Sequence, residues 1–145
     1  MSTSAKQIAS ILGTQKDLGR RVRSHHDLET VVASGLPRTA LDRVIGRLEN
    51  ATSGSLSELK FKVVPRATYQ RSDRLSLQPS ETVERLARLY TMALEAFEDN
   101  ETAAQFMMTE HPELENRTPF LTGLTELGGR MVEEVIARGM HGLPA

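Results

Sequence analysis

Apolar residues recur along this chain at the three- and four-residue spacing of amphipathic helices. The longest stripe follows Pro79 and ends near Glu98, and its apolar members are Val83, Leu86, Ala87, Tyr90, Ala93, Leu94 and Phe97. Alternating strand patterns are absent, and the apolar run at residues 61–64 is too short for its period to be assigned. The pattern predicts an all-α fold.

Turn and capping residues divide the half before this stripe into shorter helices. Asp27 is placed to cap a helix that ends at Gly35, and Pro37 stands in the first turn of the next. The segments predicted after that are a breaker cluster, two short helices and a polar connector, at residues 50–54, 55–62, 65–71 and 72–78.

The half after the stripe carries similar start and stop signals. Asp99 is predicted to cap a helix that Pro112 ends, the pair 118–119 starts a short helix, and Thr125 caps the last one. The last helix is predicted to bury an apolar face formed by Leu127, Met131, Val132, Val135 and Ile136. Two glycines, Gly139 and Gly142, are predicted to end it.

Residues 1–26 are polar and weakly patterned, so they are expected to form a tail or one short helix. The predicted organisation therefore has three parts: this segment, then residues 27–76, then residues 77–145. A chain of 145 residues is long enough for one compact domain, or for two small helical lobes that share a core.

The net charge of −1 hides an asymmetry between the two halves. Residues 1–75 hold 13 Lys and Arg against 7 Asp and Glu, a net of +6, whereas residues 76–145 hold 5 against 12, a net of −7. A basic half attracts phosphates and an acidic half suits a protein partner, although both halves could simply be solvated surfaces. The chain has no cysteine, no membrane-length apolar run and no secretory signal, so a cytoplasmic location is expected.

The residue pattern gives no sign of catalysis. The four histidines, at 25, 26, 111 and 141, lack the spacing of a metal site, and nucleotide-binding and nucleophile motifs are absent. We therefore expect neither an enzyme nor a resident metal or cofactor.

The two short helices at 55–62 and 65–71 have the size and spacing of a helix-turn-helix, whose second helix enters the major groove of DNA. The candidate DNA-binding residues on and just after that helix are Arg66, Thr68, Tyr69, Gln70, Arg71 and Arg74. Arg and Gln can pair with base edges, and hydroxyl groups suit phosphates. The alternative is an ordinary polar helix on the surface of a bundle.

Several motifs in order resemble Xre/ParS/MbcA-type antitoxins over roughly residues 27–145. The stretch 64–71, with Leu75, Ser76 and Glu81, is similar to the segment that ends the helix-turn-helix of that family. Further similar motifs are Arg85-Leu-Ala-Arg88, Asn116-Arg117-Thr118-Pro119, and the closing stretch from Gly128 to Gly142. One departure is Phe106-Met107, where the family usually has Trp-Leu; the similar volumes predict that packing is kept.

This resemblance implies an Xre-like helix-turn-helix lobe followed by a C-terminal lobe for toxin binding and dimerisation. The implied partners are a RES-domain toxin that consumes NAD⁺, operator DNA and a second copy of the chain, with dimerisation expected through the helix at 79–97. The implied toxin-binding residues are Arg138, Gly139, Met140, His141 and Gly142. The competing interpretations are a stand-alone transcriptional regulator without a toxin and, for the last residues, the frayed end of a helix.

Overall fold

A computed structural model describes residues 3–49 and 57–140, and within these ranges the chain is helical without strands. The α-helices are α1 (Ala5–Leu12), α2 (Gln15–Leu18), α3 (His25–Ala33), α4 (Arg38–Glu49), α5 (Arg66–Arg71), α6 (Leu77–Phe97), α7 (Asn100–Met107), α8 (Pro119–Thr122) and α9 (Glu126–Met140). Short 3-10 helices occupy Ser57–Lys62 and Pro112–Leu114. The predicted all-α class is confirmed, and the breaker cluster at 50–54 lies outside the described residues.

Helix α6 is the centre of the molecule. It packs against α1, α3 and α4 from the basic half and against α7 and α9 from the acidic half. Its predicted stripe is fully buried at Val83, Leu86 and Tyr90, and burial of one such side chain stabilises the fold by about 1.5–3 kcal/mol. The two halves therefore share one hydrophobic core, while the domain boundaries at 26/27 and 76/77 stay a prediction.

The N-terminal segment is more ordered than the sequence suggested, because it forms two helices instead of a tail or one helix. Ser4 and Gln7 form a reciprocal capping box at the start of α1, with two hydrogen bonds of 3.1 Å. Ile8 and Leu12 are almost fully buried, and α1 packs on α4 and α6. A stripe only one or two turns long is too short to stand out from a polar background.

Helix α3 begins earlier than predicted. Its N-cap is Ser24, whose hydroxyl accepts from the backbone N–H of Asp27 at 3.1 Å. Asp27 is thus inside the first turn, where its carboxylate accepts from the backbone N–H of Arg23 at 2.9 Å and pairs with Arg20. The hydrogen bond from Arg23 is the main reason why the pKa of Asp27 is lowered.

The turn after α3 is pinned to the connector that precedes α6. The backbone N–H of Leu75 donates to the carbonyl of Leu36 at 2.8 Å, and the buried hydroxyl of Ser80 accepts from the N–H of Leu36 at 2.9 Å. Gly35 has φ of 90°, and a Cβ there would lie 2.6 Å from the carbonyl oxygen of Leu75. Only glycine fits both demands, so the predicted stop at this residue is confirmed.

The capping predictions for the acidic half are confirmed. Asp99 accepts from the N–H of Thr102 at 2.8 Å at the start of α7. The hydroxyl of Thr118 accepts from the N–H of Leu121 at 3.1 Å at the start of α8, and that of Thr125 from the N–H of Gly128 at 3.0 Å before α9. Each cap supplies an acceptor for a backbone N–H that the helix itself leaves open.

Helix α9 departs from its prediction in two ways. Val132 and Ile136 are buried, but Leu127 and Met131, predicted on the same buried face, are 71% and 36% exposed. The helix also continues to Met140 through Gly139 rather than ending there, and Gly142 lies outside the described residues.

The structure argues against dimerisation through the apolar stripe of α6. The apolar stripe that motivated it is covered by helices of the same chain, so that stripe is not open to a second copy. Homodimerisation itself stays a prediction, and any contact would use a different surface.

Candidate functional site

The first candidate surface is α5 with the 3-10 helix that precedes it. The sequence predicted two short helices; the first is a 3-10 helix, Ser57–Lys62, and the second is α5, with Pro65 as its N-cap residue. Residues 55 and 56 lie outside the described residues. No residue of α5 is buried, so the helix lies on the surface of the molecule.

Four of the predicted DNA-binding residues, Arg66, Gln70, Arg71 and Arg74, are exposed, and the first three of them lie on α5. The guanidinium of Arg66 forms an ion pair with Glu58 at 2.8 Å and lies 4.1 Å from the ring centre of Phe61. Thr68 is half-buried. A surface ion pair such as Arg66–Glu58 contributes little to stability, so a phosphate could replace the carboxylate at small cost.

Tyr69, in contrast, faces inward and holds α5 in place. Its hydroxyl lies 2.8 Å from both carboxylate oxygens of Asp42 on α4, and its ring meets Phe61 edge-on at 5.9 Å. The ammonium group of Lys60 lies 4.3 Å from the ring centre, and Arg38 donates to the carbonyl of Tyr69 at 2.9 Å. We name these residues the Tyr69 cluster: Arg38, Asp42, Lys60, Phe61 and Tyr69.

The surroundings of Lys60 in the Tyr69 cluster favour the charged form of its ammonium group. Burial lowers the pKa of Lys60, but the hydrogen bond with Tyr69 and the charge of Asp42 outweigh burial and raise it overall. Sequence reasoning missed Arg38, Asp42 and Lys60 as supports of α5. The available signal was weak: Arg38 and Asp42 share one face of α4 at a four-residue spacing.

Arg74 also serves the fold. Its guanidinium donates to the carbonyl of Gly35 at 2.8 Å, within the pairing that ties the connector to the turn after α3. The six predicted residues therefore divide into an exposed set on α5, Arg66, Gln70 and Arg71, and an anchoring set, Tyr69 and the exposed Arg74, with Thr68 between them.

The second candidate surface is the C-terminal end of α9. Arg138 forms an ion pair with Glu113 of the second 3-10 helix, and Gly139 is exposed on the same end of the helix. A cleft of about 170 Å³ opens beside them. Its lining residues are Phe97, Phe106, His111, Glu113, Val135, Arg138 and Gly139. Met140 closes α9, and His141 and Gly142 lie outside the described residues.

Close packing with α6 fixes the position of α9. Arg88 of α6 pairs with Glu84 at 3.2 Å and with Glu133 of α9 at 3.1 Å. A Cβ on Gly128 would lie 1.8 Å from the carbonyl oxygen of Thr122, so only glycine permits the corner between α8 and α9. The start and middle of α9 are thus held closely against α8 and α6.

A buried arginine reinforces the same corner. Arg85 of α6 donates to the carbonyl of Gly123 at 3.1 Å, and its alkyl chain occupies the space that a side chain on Gly129 would need. Burial lowers the pKa of this guanidinium. The arginine pair of the predicted family motif, Arg85 and Arg88, therefore acts in packing α6 against the last two helices.

Among the described residues, no group of three or more acidic or histidine side chains could hold a metal ion. No described helix is both long enough and apolar enough to cross a membrane.

The comparison with protein families decides the interpretation of the acidic half. Residues 92–142 match the family described as the antitoxin Xre/MbcA/ParS C-terminal toxin-binding domain. This part of the chain is similar to an antitoxin toxin-binding domain. The resemblance to Xre/ParS/MbcA-type antitoxins that the sequence motifs indicated is confirmed. No curated protein matches the chain.

The toxin-binding domain match begins inside α6 and includes α7, α8 and α9. Phe106 and Met107, which depart from the usual family residues, are buried as predicted, at 9% and 1% exposure. The match includes the predicted toxin-binding residues 138–142 but none of the predicted DNA-binding residues.

Proposed function

We propose that this chain is a cytoplasmic antitoxin that neutralises a RES-domain, NAD-degrading toxin by covering the toxin's active site. The observation that carries the proposal is the toxin-binding domain at residues 92–142, together with its acidic charge. A site that holds a dinucleotide needs positive charge for the phosphates, and an acidic protein surface is complementary to it. Inhibition then needs no catalytic group in the antitoxin, because a steric block is sufficient.

The end of α9 is proposed as the blocking element. Arg138, Gly139 and Met140 close the helix, and His141 and Gly142 follow in the chain. A Cβ added to Gly139 would meet no atom within 4 Å, so the fold of the chain does not require glycine at this position. Glycine there allows a partner's backbone to approach closely, which supports a role in binding.

A truncation after Ile136 tests this role. The shortened chain keeps Val132 and Ile136, the buried residues of α9, and should retain its helical content and its unfolding midpoint within a few degrees. We expect it to lose the ability to protect cells and their NAD⁺ when co-expressed with the toxin of the adjacent gene. Protection by the truncated chain would refute the blocking role of the C-terminal end.

We also propose that the basic half represses the operon by binding operator DNA as a homodimer through a helix-turn-helix that ends in α5. The exposed set on α5 supports this proposal, since Arg66, Gln70 and Arg71 can reach a DNA groove while the Tyr69 cluster holds the helix. Phosphate and base contacts by arginine are the commonest basis of DNA binding.

The double variant Arg66→Ala/Arg71→Ala tests DNA binding. We expect weaker binding to the promoter fragment and a salt dependence reduced by about one unit of slope for each phosphate that the variant no longer binds. The double variant Lys6→Ala/Lys16→Ala, which also removes two exposed positive charges from the basic half, is the matched control. Equal promoter affinity of the double variant and the wild type would reject these contacts. A chain that binds DNA but forms no complex with the neighbouring gene product would favour the stand-alone regulator.

A further inference from the structure

The exposed apolar residues of this protein are concentrated at the corner between α8 and α9. Four large apolar residues in the described part of the chain are exposed, and three of them, Leu121, Leu127 and Met131, lie within eleven residues of one another. The fourth, Leu77, is at the start of α6. Leu127 is 71% exposed, Leu121 41% and Met131 36%, and three such apolar side chains on two adjoining helices favour an interaction surface.

Helix geometry places two of these residues in line with the C-terminal end of α9. At 100° per residue, Leu127, Met131 and Arg138 lie within about 40° of one another around the helix axis. The buried residues Val132 and Ile136 occupy a different side, where α9 packs on α6. Leu127 and Met131 are therefore exposed because they point away from the core, along a line that leads to the proposed blocking end.

The start of α9 is held closely against α8. The hydroxyl of Thr125 caps α9, and the close approach of Gly128 to the Thr122 carbonyl fixes α8 against it. The charged neighbours Glu126 and Arg130 pair with each other at 3.1 Å, so they place no uncompensated charge beside the apolar side chains. An ordered apolar centre with a polar rim is the usual composition of a protein interface.

We infer that Leu121, Leu127 and Met131 form the apolar anchor on which the toxin docks, and that this anchor positions the end of α9 over the toxin's active site. The inference rests on the proposed function. The toxin is the partner that we expect to bind this apolar surface, because all three residues lie inside the segment that matches a toxin-binding domain. The surface of the toxin that meets them is apolar and lies next to its catalytic cleft.

The division of roles has a physical reason. Affinity in protein complexes comes mainly from a few desolvated apolar or aromatic anchors, whereas charged groups at the rim set the approach and the register. The anchor therefore provides affinity, and the C-terminal end of α9, which carries Arg138 and Gly139, provides inhibition.

The test is the double variant Leu127→Glu/Met131→Lys. The new side chains have opposite charges at a spacing of four residues, so they leave the net charge unchanged and support the helix. Leu77→Gln, which alters the exposed leucine outside the anchor, is the control. We expect the dissociation constant for the adjacent-gene toxin to rise by about 30-fold or more in the double variant and to stay within about threefold in the control.

The other outcomes separate the two proposals. If the wild-type chain fails to bind the toxin, the proposed function fails before the anchor is tested. If the wild type binds and the folded double variant binds equally well, the anchor is refuted. If the double variant changes only the mass of the free chain in light scattering and still binds toxin, the surface is a contact between copies of this chain and the inference is overturned.

Discussion

Single glycines in this chain serve two different purposes. At Gly35 a positive φ and a backbone carbonyl 2.6 Å from the Cβ position exclude every other residue. At Gly139 and Gly46 the chain is helical and the Cβ position is open, so glycine there weakens the helix without improving its packing. Gly139 lies in the segment that matches a toxin-binding domain, so we expect the partner to account for glycine there, whereas Gly46 lies outside that segment.

Replacing Gly139 with alanine should therefore separate stability from binding. We expect Gly139→Ala to raise the free energy of unfolding by up to about 1 kcal/mol, because alanine favours the helix. Toxin binding should weaken at the same time, because the added methyl group stands where the partner approaches. Denaturant unfolding and titration with toxin measure the two effects.

Gly46→Ala in α4 is the matched control for this substitution. It should give a similar increase in stability, since its Cβ also meets no atom within 4 Å, and it lies outside the toxin-binding domain. If both variants bind toxin as the wild type does, Gly139 has no part in the interface.

At the scale of elements, the sequence predicted helices by two signals of different strength. Long stripes and side-chain caps were sufficient for α6, α7, α8 and the start of α9, because both signals are local. One short helix was an alternative for residues 1–26, but the burial of α1 was not predicted, because its apolar residues pack against α4 and α6, which are distant in the chain. Exposure of Leu127 and Met131 could not be predicted either, because an apolar residue on a helix is assigned to the core until its neighbours are placed.

The candidate sites, too, could be predicted from the sequence only where the signal was local. The exposed residues of α5 followed from helix spacing, but the anchoring role of Tyr69 depends on Asp42, which is 27 residues away in the chain. A single sequence contains no local signal for such a contact. The toxin-binding end was reached through family resemblance alone.

A single substitution in the Tyr69 cluster can test whether the cluster anchors α5. We expect Tyr69→Phe to remove the hydrogen bond to Asp42 and to lower the free energy of unfolding by about 1–2 kcal/mol, since the hydroxyl is half-buried against a charged acceptor. DNA affinity should also fall, because α5 becomes less firmly held. Hydrogen exchange of the α5 amides and promoter binding measure the two effects.

Tyr69→Phe retains the ring contacts with Phe61 and Lys60, so any decrease in binding reports the hydroxyl group alone. If DNA affinity falls while amide exchange in α5 is unchanged, the hydroxyl contacts DNA directly and the anchoring role is wrong.

At the scale of the whole molecule, α6 makes the two halves one folding unit. Ile8 of α1 and Ile136 of α9 lie on opposite sides of the chain's charge division, and both are 1% exposed in the same core. We expect Ile8→Ala and Ile136→Ala each to destabilise the fold by about 2–5 kcal/mol and to lower the midpoint of one common unfolding transition. Calorimetry with two transitions, each shifted by one of the variants, would contradict a shared core.

The central position of α6 also limits where recombination can exchange one part of the chain without disrupting the fold. The toxin-binding match begins at residue 92, in the middle of this helix. Recombination at that point would discard Leu89, which packs on the corner at Gly123, and Tyr90, whose hydroxyl donates to the side-chain oxygen of Asn100 at 3.1 Å. Exchange upstream of residue 77 would keep α6 whole but replace the helices α1, α3 and α4 that pack on it, so point substitution at the surface changes either half with less disruption of the core. An exchange at the boundary of the matched segment would divide the helix on which both halves of the chain pack.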